Sequence, residues 1–193
     1  MLYNIVLFFH ILGAALIFMS IGLLFTAMIS MLHAKDVKGI RQWSSLAVKL
    51  DILFPISTIL TLASAFYLVF SAWGWGYAWI NVSVAALIGN SILGILFNLI
   101  RLKGIGEAAN RETDNVPSSA LLNKVRDRIL WKAVSIMTLV TIGILFLMVM
   151  KLETAGSLMA MGIAIAAGFF LAKFILGTVK NEAPKEALTS SEK

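Results

Sequence analysis

From Ile52 to Ile100 the chain carries no Asp, Glu, Lys or Arg, and the same is true from Leu2 to Ala34. Stretches of that length dictate the solvent. A spanning helix needs roughly 20 apolar residues, so the first stretch supplies one span with length to spare and the second supplies two. In water, a chain this small would leave much of that apolar surface exposed. The composition agrees: 60% of the 193 residues are apolar and only 13% are charged, against about a quarter in an average soluble domain. Mean hydropathy is +0.91. These figures exclude an ordinary soluble enzyme, a disordered tail, and a collagenous or coiled-coil rod.

Breaks between spans fall where glycine permits a turn and aromatic rings prefer the headgroup region. Trp73-Gly74-Trp75-Gly76-Tyr77-Ala78-Trp79 meets both conditions. Helices are therefore predicted near 2–34, 52–72, 79–101, 129–150 and 155–179, the first running beyond the hydrocarbon or tilting within it. A basic loop follows the first span, with Lys35, Lys38, Arg41 and Lys49 against Asp36. The longest polar stretch runs from Arg101 to Lys132, with a short amphipathic helix predicted over Leu121–Arg128. Lys151-Leu152-Glu153-Thr154 reads as a tight turn. The expected organisation is an all-α polytopic membrane helix bundle: a four-helix core over 1–152, a fifth transmembrane helix over 153–180, and a disordered polar tail over 181–193.

The net charge of +6, from 16 Lys and Arg against 10 Asp and Glu, sits almost entirely between the apolar blocks. That is a topology signal rather than a nucleic-acid footprint, and no nucleic-acid partner is expected. The loops after the first and third spans hold most of the Lys and Arg, which places the N-terminus outside and the C-terminus inside. There are no cysteines, which excludes disulfides, thiolate metal sites, c-type haem attachment and iron–sulfur clusters. Met1-Leu2-Tyr3-Asn4 lacks the positive n-region of a signal peptide, so the first helix is retained as a mature span.

Small and polar residues mark the helix faces. In the last span Gly156, Ala160, Ala164, Gly168 and Ala172 recur every fourth residue, a ridge suited to docking another membrane subunit or a second copy of the chain. Ala86, Asn90, Gly94 and Asn98 form a related face in the third span. Asn90 lies near mid-membrane and must face protein or water, either as an interhelical hydrogen bond or as a pocket-lining group. Ser57, Thr58, Ser135, Thr138 and Thr141 are expected to close local backbone bonds. Lys173 is expected to snorkel towards the interface near Lys180, and Asp51 to cap the second span.

His10 carries the clearest chemistry. It lies about 12 Å inside the first span, and intramembrane ionisable residues are functional candidates. Gly13 and Ala14, one turn on, are expected to leave room for a flat ligand. A neutral imidazole there is either an axial ligand to haem b or a hydrogen-bond donor to a backbone carbonyl or Asn90. His33 lies about 35 Å away along the same helix, so the two cannot share one haem. Met161 is the candidate second ligand if the fifth helix packs nearby; otherwise the iron is five-coordinate or a second subunit supplies the ligand. Tyr67 and Asn90 are candidate pocket walls. Met148 and Met150, like Met159 and Met161, are two residues apart and point to opposite sides of a helix, so packing accounts for them better than copper binding.

The chain resembles a bacterial family of integral membrane proteins, domain of unknown function 2269. The resemblance spans residues 1–152 and is carried by Leu7-Phe8-Phe9-His10-Ile11-Leu12-Gly13-Ala14, by Ala47-Val48-Lys49-Leu50-Asp51-Ile52-Leu53-Phe54-Pro55, by the Trp73–Trp79 turn and by Phe146-Leu147-Met148-Val149-Met150-Lys151. It implies four helices, from which the fifth span departs. A more distant similarity, an early His followed by small residues, extends to copper-resistance D-like and protoporphyrinogen-oxidase-like four-helix proteins. It implies haem, with His10 at the matching position. The basic partner of that family has no counterpart within the first four spans. The expected function is a haem-b-binding protein or small subunit of a membrane redox complex, not an enzyme on its own; a cofactor-free assembly subunit is the alternative.

Overall fold

A computed structural model describes the backbone of residues 1–181 and side chains as far as Thr178. The expected polar tail, apart from Asn181, lies outside the described residues. The helices are α1 (Leu2–Leu32), α2 (Val37–Asp51), α3 (Leu53–Leu68), α4 (Ala78–Leu93), α5 (Ile100–Arg111), α6 (Ser119–Val125), α7 (Arg128–Met150) and α8 (Thr154–Asn181). A π-helical turn over Val69–Trp73 extends α3, and another over Gly94–Leu99 joins α4 to α5. No strand occurs among the described residues, and five helical runs are long and apolar enough to cross a membrane.

The turns fall where the sequence placed them. After Trp73 the chain reverses through Gly74, whose φ of 75° lies in the left-handed region that glycine enters without strain. Trp73, Trp75, Tyr77 and Trp79 cluster there, with Trp73 and Trp79 ring centroids 5.7 Å apart. At the turn between α7 and α8 Lys151 takes φ 51° and closes α7 by a backbone bond to Leu147.

The basic loop after the first span is a correction: residues 37–51 form α2. Asp36 caps it by accepting from the Gly39 N–H at 2.8 Å. Val37, Ile40, Ser44 and Ala47 are buried, while Lys38, Arg41 and Lys49 are exposed. The first half of the long polar stretch is likewise helical, as α5. Both stretches lack the continuous apolarity of a span, so their helicity depends on what they pack against. That partner is the surplus of α1. With 31 residues, α1 is about 46 Å long, against a hydrocarbon core of about 30 Å. Its last two turns join α2, α5, α6 and the start of α7 around Met28, Met31, Ile40, Leu102, Ile105 and Trp131, all fully buried. Arg41 fastens α2 to the end of α5 through the Ala109 carbonyl at 2.9 Å, and Arg101 pairs with Asp127.

The small-residue ridge of α8 is also corrected. It is already occupied within the chain, because Ala164, Gly168 and Ala172 are buried against α7. A Cβ on Gly168 would stand 2.5 Å from Ile136 Cα, and one on Gly143 would stand 3.2 Å from Ala164 Cβ. The ridge therefore joins the fifth helix to its own bundle, and the docking surface expected of it is not free. The side of α8 that remains outward bears Leu158, Ile163, Phe170 and Phe174, an apolar face suited to lipid. Lys173 is exposed on the same helix.

Candidate functional site

α1 and α3 approach closely at Gly13. A Cβ there would lie 2.5 Å from Thr61 Oγ1 and 3.0 Å from the Thr61 nitrogen. Gly13 is thus a helix-packing residue, and the space it was expected to leave for a flat ligand is filled by α3. The close approach brings His10, one turn earlier, against the α3 backbone. His10 Nδ1 lies 3.1 Å from the Thr61 carbonyl and 3.4 Å from Ser64 Oγ. A carbonyl oxygen only accepts, so Nδ1 carries the proton of the neutral ring and Nε2 presents a lone pair. Ser64 Oγ is free to accept because its own proton goes to the Leu60 carbonyl at 2.7 Å. Of the two roles read for His10 as a hydrogen-bond donor, the backbone carbonyl is the one formed; Asn90 is bonded elsewhere.

His10 stands on the wall of a groove between α1, α3, α4 and α7, with Ala14 and Phe18 beside it, Thr61 and Ala65 opposite, and Ser83, Thr141 and Met148 on the remaining sides. The volume is about 60 Å³, and the walls are almost wholly apolar. Two polar atoms stand out. The hydrogen bonds of His10 to described residues are made through Nδ1, leaving Nε2 without one, and Ser83 Oγ is buried with no partner. Thr141 Oγ1 has no proton to spare, donating to the Met137 carbonyl at 2.9 Å and accepting from Asn90 Nδ2 at 3.2 Å.

The remaining candidates do not gather here. Asn90 is buried between α4 and α7, where it also donates to the Met137 carbonyl at 3.1 Å. That is the interhelical role. Tyr67 is exposed on α3 and lines no part of the groove. Met161 packs against Gly143 at the α7–α8 contact; the sulfur that shares the groove with His10 is Met148. Met159 points outward while Met161 is buried, as two residues of a helix separated by one must. No cluster of three or more His, Cys, Asp or Glu able to hold a metal ion occurs among the described residues. The groove's volume is well below the about 300 Å³ at which sites for drug-sized molecules begin.

Sequence reasoning missed Ser83, Thr61 and Ser64. The signal was present: Ser83, Leu87 and Asn90 share a helical face, as do Ser57, Thr61 and Ser64. Of the hydroxyls assigned to local backbone bonds, Ser57, Thr138 and Thr141 make them; Thr58 and Ser135 are buried with no partner. Replacing Asn90 with Leu is expected to lower stability by about 0.6–1.7 kcal/mol, the range of interhelical hydrogen bonds in membranes. Thermal unfolding in detergent measures it, and an unchanged midpoint would show the amide to be idle.

No protein-family model, curated protein or solved structure matches the chain. The family resemblance rests on the residues quoted for it.

Proposed function

We propose that this is a multi-pass protein of the bacterial cytoplasmic membrane that binds the head of a lipid-soluble ligand in the His10 groove, as a small subunit of a membrane redox complex. One observation carries the reading: His10 lines an apolar groove with its Nδ1 anchored on a backbone carbonyl and its Nε2 without a partner among the described residues. Histidines that bind through one nitrogen are commonly oriented in this way through the other. The lone pair on Nε2 selects a donor, such as the hydroxyl of a quinol or another lipid-soluble phenol, and the Ser83 hydroxyl meets a second oxygen. The small volume suits a head group whose tail remains in lipid.

Solvent extraction of the purified protein with mass spectrometry, together with its absorption spectrum, tests this. Wild type is expected to carry a hydroxylated apolar molecule, and His10→Ala about tenfold less, the equivalent of about 1.4 kcal/mol. A Soret band that His10→Ala removes would replace the quinol-type ligand by haem b. Extracts identical to bulk lipid in both proteins would sink the ligand reading and leave the assembly-subunit alternative.

The orientation forms part of the proposal. With no native cysteine to interfere, Gly76→Cys is expected to react with an impermeant maleimide on intact cells, and Lys38→Cys only after lysis. The opposite pattern would invert the topology.

A further inference from the structure

A second, smaller void lies in the bundle where α1, the end of α2, the start of α3, the Gly94–Leu99 π turn and α7 meet. Asp51, Asn98, Ser20 and Thr138 line it, and its volume is about 10 Å³, room for one water-sized particle. Every polar group around it offers an acceptor. Ser20 Oγ gives its proton to the Leu16 carbonyl at 2.7 Å, and Thr138 Oγ1 gives its own to the Val134 carbonyl at 2.8 Å. Each hydroxyl is left with lone pairs alone. Asn98 is 1% exposed; its Nδ2 donates to Met137 Sδ at 3.4 Å, and its Oδ1 is buried with no partner.

Asp51 completes the set. It was expected to cap the second span, but Ile52 is the residue between α2 and α3 and no side-chain cap bond is made there. The carboxylate has no hydrogen bond or ion pair with a described residue. The backbone is shaped to bring Asn98 inward. A π turn spends an extra residue per turn, which returns Asn98 to the buried face that Asn90 and Gly94 already occupy. Such turns are frequent at functional sites. Acceptors gathered around one void repel until a positive charge or a donor enters. Hard oxygen ligands select a hard cation, and one carboxylate balances one charge.

We infer that this void is a site for a monovalent alkali cation, for which Na⁺ serves as the probe, ligated by the Asp51 carboxylate, Asn98 Oδ1 and the Ser20 and Thr138 hydroxyl oxygens. The ion joins α1, the end of α2, the π turn and α7, so its occupancy stabilises the bundle.

Thermal unfolding of the purified full-length chain, in NaCl and in choline chloride at equal ionic strength, tests this. The midpoint is expected to rise hyperbolically with Na⁺ and to exceed that in choline by ~3–8 °C at saturation. Asp51→Asn and Asn98→Leu are each expected to remove the difference while keeping the helical circular-dichroism signal. Equal midpoints in the two salts overturn the inference, as they would if the void held only water or a proton shared between Asp51 and Asn98. A Na⁺ response that survives Asp51→Asn overturns it as well. If those variants fail to fold, Ser20→Ala takes their place: an apparent Na⁺ affinity about tenfold weaker supports the site, and an unchanged affinity overturns it.

Discussion

Trp131→Ala is expected to cost about 3–5 kcal/mol, the range for removing a fully buried large aromatic side chain. Trp131 is 0% exposed and sits where α1, α5, α6 and α7 converge. Its ring meets Phe25 edge to face, with centroids 6.3 Å apart. The indole Nε1 donates to the Val125 carbonyl at 3.0 Å, satisfying one of the carbonyls that the last turn of a helix leaves open. Trp131→Phe separates the two contributions: it keeps most of the ring and loses the bond, for an expected loss of about 1–3 kcal/mol as the buried carbonyl goes unpaired. Denaturant unfolding with tryptophan-independent detection, such as circular dichroism, reads both. An alanine variant within 1 kcal/mol of wild type would mean that the polar segments are not held by a packed core.

Gly168→Ala is the second large effect, from the addition of a single methyl group. The new Cβ would stand 2.5 Å from Ile136 Cα and 2.9 Å from Ile136 N. Both are backbone atoms of α7, so no rotamer relieves the clash and the helices must part. Overpacking of this kind costs about 1–3 kcal/mol and occasionally more, and Gly168→Leu should release α8 to limited proteolysis. The same helix contains its own control. A Cβ on Gly162 would meet nothing within 4 Å, so Gly162→Ala is expected to be neutral or stabilising through helix propensity. If the two alanine variants unfold together, α8 is not seated on α7 as described.

These experiments bear on residues of different legibility in the sequence. The aromatic turn, the tight turn at Lys151 and the five apolar runs could be read directly, because solvent dictates them: lipid tolerates only long, uncharged helices, and each reversal needs glycine or an interfacial side chain. α2 and α5 could not be read in the same way. Lys38, Arg41 and Lys49, like Arg101, Lys103 and Arg111, present the composition of a loop. These segments are helical because the surplus length of α1 and the Trp131 core give their apolar sides something to cover.

For the candidate sites the division is sharper. His10 was singled out by its burial among apolar neighbours, and Asn90 by the energetic cost of an unpaired amide. Their partners were not predictable, because spacing of four residues states only that a face exists. The same pattern that suggested a docking ridge on α8 seats it on α7, and Gly13, expected to make room for a ligand, admits the Thr61 backbone instead. In the same way Met148, not Met161, shares the groove with His10.

The sequence by itself determined that this chain lives in a bilayer as a bundle of five helices, where they turn, and which few polar side chains the membrane must accommodate. Those properties follow from hydrocarbon length, charge and turn chemistry, all local to the chain. The tertiary structure alone decided which nitrogen of His10 is left free, which hydroxyls stand without a partner, and that Asp51 and Asn98 share one void. Each depends on which helix faces which at one depth, and that is fixed by small residues meeting backbone across the chain rather than by any local pattern.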